Sequence, residues 1–338
     1  MFAAMSGRTR SAFAVALLAM PLRPHAPPAI PDADRIRIAE AFRLAAAVQD
    51  SIWPQWSRAP FALLLVTADR EFLVRHSAPS PDFSRIGHDS LLDADVFSRP
   101  RQLSPALLAT YPAVGGVPTI VIGRAEATGK TSSEWVLTVL HEHFHQLQTS
   151  QPGYYAGVAA LNLSRGDQSG MWMLNYPFPY DSAPVQQRFS DLTRTLTAAL
   201  DAADAGGVEG AVAAHRRAGA ALRAALSADD YRYLEFQFWQ EGVARYTELR
   251  VAELAARTYT PSAGFTALSD FTPFSTLARA ARTDVLNELR HASLGQSGRV
   301  AFYSVGATTA LLLDSVAPGW QRRYFTDMFV LDRYFTGR

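Results

Sequence analysis

The sequence predicts an α+β fold, mainly helical, with a small β-sheet on the N-terminal side. Three observations carry this. Short apolar runs at 61–67, 72–74 and 118–123 are bounded by polar or turn residues, as strands are. From about residue 127 the apolar positions recur with helical spacing almost without interruption. A chain of 338 residues, 48% of them hydrophobic, can bury one large core or two moderate ones.

Taken in order, a helix starts near Asp32 or Asp34 and breaks at Pro54, since proline cannot continue a helix. "FALLLVTADREFLV" reads as a hairpin with its turn at the polar "ADRE", and "PTIVIG" (118–123) as a third strand. "TSSEWVLTVLHEHFHQLQTSQPG" opens with Thr131 and Glu134 in capping-box register and closes at Pro152-Gly153. Residues 154–182, rich in glycine, proline and aromatics, read as a long structured loop, and such loops are often functional. Helices follow near 185–204, 208–225, 227–257, 273–292, 299–316 and 318–334. The organisation this implies is a tail at 1–30, an α/β part with the sheet at 31–126, and a helical part at 127–338.

Composition excludes several functions. With 32 basic and 31 acidic residues the net charge is +1, so no field draws the chain to phosphate, and nucleic acid is not an expected ligand. There is no cysteine, so disulfides, thiolate catalysis and cysteine-ligated zinc are ruled out. Any metal must be held by His, Asp or Glu. The N-terminus carries Arg8 and Arg10 and then an apolar run from Ser11 to Leu22, the layout of a secretory signal and too short to span a bilayer. The expectation is a secreted or periplasmic protein without a stable membrane span. A cytoplasmic protein with a short N-terminal tail is the alternative, because prolines stand where a cleavage site wants small residues.

"LHEHFHQLQ" (140–148) falls inside an apolar helix. Residues four apart lie about 40° from each other around a helix axis, so His141 and His145 share one face and can share an ion. His143 lies about 200° from His141 and is a packing or surface residue. Glu142, about 100° round, is badly placed to ligate but can reach a water held by the metal. Catalytic zinc usually has three protein ligands. No third histidine follows nearby, since Gln148 and Thr149 occupy that region. A glutamate from a second helix is the other solution, and "FWQEGVARYTE" (238–248) offers Glu241. Gly242 beside it, costly inside a helix, lets a backbone or a substrate come close.

HEHFH followed by "WQEGVARYTE" resembles the gluzincin zinc metallopeptidases, most of all their alanyl-aminopeptidase branch. The resemblance implies a helical gluzincin-like core with one zinc ion per chain, ligated by His141, His145 and Glu241. It makes Glu142 the general base and Glu248 the acid that orients a ligand imidazole. "FYSVGATTALLL" is similar to the family's later Y-x-K-G helix, which makes Tyr303 the donor to the oxyanion, although Val305 replaces the lysine. Tyr246 is a second candidate for that donor. Residues 150–226 would then be an insertion between the metal helices, forming a lid or a substrate wall. Asp167, Trp172, Asn175 and Tyr180 are candidates to line the cleft, and "PTIVIG" could pair with an extended substrate. The branch's G-A-M-E-N strand has no counterpart, so aminopeptidase specificity is not implied. The expected activity is hydrolysis of peptide bonds in a peptide or protein substrate. The alternatives are a non-catalytic, zinc-stabilised binding protein and a zinc hydrolase of non-peptide amides or esters.

Overall fold

A computed structural model describes residues 28–335, so the secretory reading of the N-terminus lies almost wholly outside the described residues. Helix α1 (Asp32–Ile52) leads into six strands: β1 (Leu63–Val66), β2 (Arg70–Val74), β3 (Ser84–Asp89), β4 (Ala94–Pro100), β5 (Leu108–Val114) and β6 (Val117–Gly123). They form one mixed sheet in the order β3-β4-β2-β1-β6-β5, in which only β1 and β6 run parallel. The expected hairpin is present with Leu63 opposite Val74 and Val66 opposite Glu71. β1 is apolar throughout because both sheet faces are covered. Leu63 and Leu65 join the large helical core, while Leu64 and Val66 meet Leu73, Phe83, Val114 and Val121 in a small cluster on the other side.

The sheet corrects one expectation. "PTIVIG" is β6, paired with β1 on one side and β5 on the other, so it has no free edge. The unpaired edge at this end belongs to β5, one of three strands that local patterning did not disclose. β3 and β5 are edge strands of mixed polarity, and a β-bulge at Gly87 (φ 146°) interrupts the alternation of β3.

The helices that follow are α2 (Ser132–Thr149), α3 (Tyr154–Ala160), α4 (Trp172–Asn175), α5 (Ala183–Ala205), α6 (Glu209–Ala225) and α7 (Ala228–Gln237). After a π-helical turn at Phe238–Gly242 come α8 (Val243–Thr258), α9 (Ala263–Thr266), α10 (Phe274–Arg290), α11 (Leu294–Ser297), α12 (Ala301–Val316) and α13 (Gln321–Tyr324). The capping box of α2 is formed, with the Thr131 hydroxyl accepting from the Glu134 N–H and the Glu134 carboxylate accepting from Thr131 N–H at 2.8 Å. α2 lies against β5 and β6 of the sheet and against α1 and α8, which is why nearly all of it is buried. One continuous apolar cluster joins the inner sheet face to the helices, so residues 31–126 and 127–338 share a core.

Two helical expectations are revised. The segment 227–257 is not one regular helix, because the π turn divides it. Residues 318–334 are broken pieces, since Gly319 (φ 81°) and Phe329 (φ 68°) take left-handed backbone. The aromatics there repeat at nearly helical spacing for a different reason. Trp320, Tyr324 and Phe329 plug the core against Trp53 and Trp239. Within the 150–226 segment α5 and α6 pair, and α5 lies on α10 and α12.

Candidate metal centre

α2 presents its histidines to two different surroundings. His143 faces the sheet side, where its ring stacks on Phe61 at 3.8 Å and 7° and on Trp56 at 5.3 Å. Its nitrogens meet Gln146 Oε1 at 2.9 Å and Gln49 Oε1 at 3.2 Å. Burial pushes its pKa down to about 4. It is a packing residue.

His141 and His145 face α8 and the π turn, with ring centroids 5.0 Å apart. Ligand atoms of His141, His145 and Glu241 all lie within 4.8 Å of one another, and this group could hold a metal ion. His145 Nε2 is 3.6 Å from Glu241 Oε2, while its Nδ1 is 2.6 Å from Gln148 Oε1. An Nδ1–H donated to Gln148 leaves the Nε2 lone pair directed at the cluster, the tautomer a metal needs. His141 Nδ1 lies 3.3 Å from Glu248 Oε2, off the line of a good hydrogen bond, and has no other partner. Two imidazoles and a carboxylate form a donor set suited to zinc, with His141 Nδ1 turned toward Glu248.

Without a metal the charges are strained toward each other. Burial works against ionisation of both groups, yet pairing with Glu241 raises His145 to about 9, and His145, His141 and Arg299 hold Glu241 at about 2. Burial likewise opposes Glu248, but Arg245 at 3.1 Å and His141 keep it at about 2.

Glu241 sits in the π turn, and such turns are frequent at functional sites because they redirect a side chain within a helix. The wider turn needs partners for its carbonyls. Gln148 Nε2 donates to Trp239 O at 3.3 Å and Gln240 O at 3.0 Å, and the Tyr324 hydroxyl donates to Trp239 O. Gln148 therefore braces both His145 and the backbone that carries Glu241.

Gly242 brings the expected close approach. A Cβ there would come within 2.4 Å of Gly306 Cα, and one on Gly306 within 2.7 Å of Gly242 Cα, so the two helices touch backbone to backbone. This crossing delivers Tyr303, one turn before Gly306, to Glu241. Burial and the Glu241 charge push its phenol well above the usual range, so it remains an O–H donor. Val305 is fully buried.

Glu142 is also buried, and its Oε2 accepts from Thr110 Oγ1 on β5 at 2.8 Å. The other candidates divide. Tyr246 gives its hydroxyl to Asp314 at 2.9 Å among Trp53 and Trp320, so it is a core residue rather than an oxyanion donor. Asp167 holds its own turn through Ser169 and the Trp172 N–H, and Trp172 packs on Phe236. Asn175 is exposed. Tyr180 alone of the loop candidates adjoins the site, its ring 6.0 Å from that of Phe302, and burial raises its pKa while Arg299 nearby lowers it.

Four neighbours lay outside the sequence reading: Thr110, Gln148, Gln240 and Arg299. Gln148 could have been found at three residues from His145, and Arg299 at four residues from Tyr303, both helix-face spacings. Thr110 carried no such signal. No protein-family model matches the chain, nor does any curated protein or solved structure.

Proposed function

We propose that the protein is a zinc-dependent metallopeptidase with a gluzincin-like core that cleaves peptide bonds with Glu142 as general base. The observation that carries this reading is the convergence of His141, His145 and Glu241 within 4.8 Å, with Glu142 on the same helix. Zinc held there would polarise a carbonyl and make a water acidic enough to ionise near neutral pH. Glu142 accepts the proton of the attacking water and passes it to the amine as the C–N bond breaks. Tyr303 donates a hydrogen bond to the oxygen on which charge develops. Glu248 and Gln148 hold the two imidazoles in orientation.

The free edge of β5 borders the site through Thr110, so an extended peptide could add there as a further strand. A base adjoining the cluster favours catalysis over a purely structural metal, which has no use for one.

The test is metal content together with cleavage of a blocked peptide library. Wild type should hold about one zinc per chain, and His145→Ala and Glu241→Ala should lose it. Glu142→Gln should keep zinc and lose about 10³-fold in turnover. Full zinc with no release of α-amines by wild type would leave a structural site or a hydrolase of other amides and esters. A wild type that binds no metal would end the proposal.

A further inference from the structure

Arg299 is a cation beside Glu241 that the proposed chemistry does not use. It stands in a 3-10 turn (Gly298–Val300) that runs directly into α12, four residues before Tyr303, so both side chains leave the same face. Its Nη1 donates to the Tyr303 hydroxyl oxygen at 2.8 Å and to Gln237 Oε1 at 3.3 Å. The same nitrogen lies 3.9 Å from Glu241 Oε1, and the guanidinium is four-fifths buried.

A phenol has one proton and an oxygen that also accepts. When Arg299 donates a hydrogen bond to that oxygen, the phenol's own hydrogen must point elsewhere, and the nearby acceptor is on the Glu241 side. A guanidinium suits this task because its charge is permanent and its fork is rigid. Lysine is not available from the next turn, since Val305 is buried in the core.

We propose that Arg299 is the positioning residue for Tyr303: it occupies the phenol oxygen from behind, aims the single O–H at the metal cluster, and adds a fixed positive charge where oxyanion charge develops. This rests on the peptidase reading for its catalytic consequence. The Arg299–Tyr303 contact itself does not.

The experiment uses Arg299→Ala, Arg299→Lys, Tyr303→Phe and the double variant. Zinc content should be unchanged in all four. Arg299→Ala should lower kcat about 10- to 100-fold, the range for a group that orients another, with KM nearly constant. Arg299→Lys should recover part of the loss. In a Tyr303→Phe background, removal of Arg299 should cost little more, since the group it positions is already gone. An undiminished loss in that background, or a change confined to KM, overturns the proposal.

A second readout needs neither metal nor substrate. In metal-free protein labelled with 3-fluorotyrosine, the ¹⁹F resonance missing from Tyr303→Phe identifies Tyr303. Arg299→Ala should shift that resonance, and Arg299→Lys should bring it part of the way back. An unmoved resonance overturns the proposal even if the enzyme cleaves peptides. If wild type cleaves nothing, the peptidase reading falls, while the spectrum still decides whether Arg299 sets Tyr303.

Discussion

Two faces of one helix carry the same side chain to opposite ends. His143, on the sheet side of α2, is sandwiched by Phe61 and Trp56, and burial lowers its pKa to about 4. His145, two residues later, is also buried, yet Glu241 raises it to about 9. Burial alone favours neutral imidazole, and only a facing carboxylate reverses that. The contrast teaches that the candidate metal face is defined by what α2 packs against. Its acids arrive from the π turn and α8, whereas the other face receives aromatic rings and amides.

The largest effect should come from pushing the acidic side away. Gly306→Ala places a methyl against Gly242 Cα and should cost about 3 kcal/mol of stability by overpacking, measured by denaturant unfolding. It should also lower turnover by displacing Tyr303 from Glu241. Full stability would mean that the helices can separate freely.

Next comes pH. In metal-free protein the raised pKa of His145 contributes stability that is fully present below about 6.5 and is lost as pH rises through about 9. Zinc needs the neutral ring, so its stabilisation should grow across that window, by at most about 1.4 kcal/mol per pH unit. Melting temperatures with and without zinc from pH 6 to 9 measure this. Parallel curves would contradict the assigned pair.

A smaller loss is expected from Gln148→Leu, which removes the partner of His145 Nδ1 and the donor to the π-turn carbonyls. Zinc affinity should weaken about 10- to 100-fold, read by chelator competition.

The mildest change is on the other face. His143→Phe should retain zinc and turnover, at a cost of about 1 kcal/mol for the hydrogen bonds to Gln146 and Gln49 that it removes. Because the folded pKa of His143 is depressed, its stability is fully present above about 6.5 and declines as pH falls through about 4. The variant should therefore lose stability less steeply between pH 6.5 and 4. Loss of zinc from His143→Phe would erase the distinction between the faces.

What the sequence determined by itself was whatever depends on neighbours within a turn or two. Thr131 and Glu134 cap α2 because capping is a local hydrogen-bond exchange. His141 and His145 share a face, and His143 opposes them, because 3.6 residues make a turn. The β1–β2 hairpin followed from two apolar runs and a polar turn. The tertiary structure decided the rest. β3 and β5 are edge strands of mixed polarity, visible only once β4 and β6 pair with them, and that pairing put the free edge on β5 instead of "PTIVIG". The breaks at Gly319 and Phe329 were hidden by aromatics whose spacing answers to the core around Trp53 and Trp239. Gly242 hinted at a close approach, but only the fold named Gly306 as its partner. Thr110 meets Glu142, and Gln148 meets the π turn, across contacts between elements distant in the chain. Helical periodicity records which residues share a face, while the identity of what meets that face depends on long-range packing that no local pattern encodes.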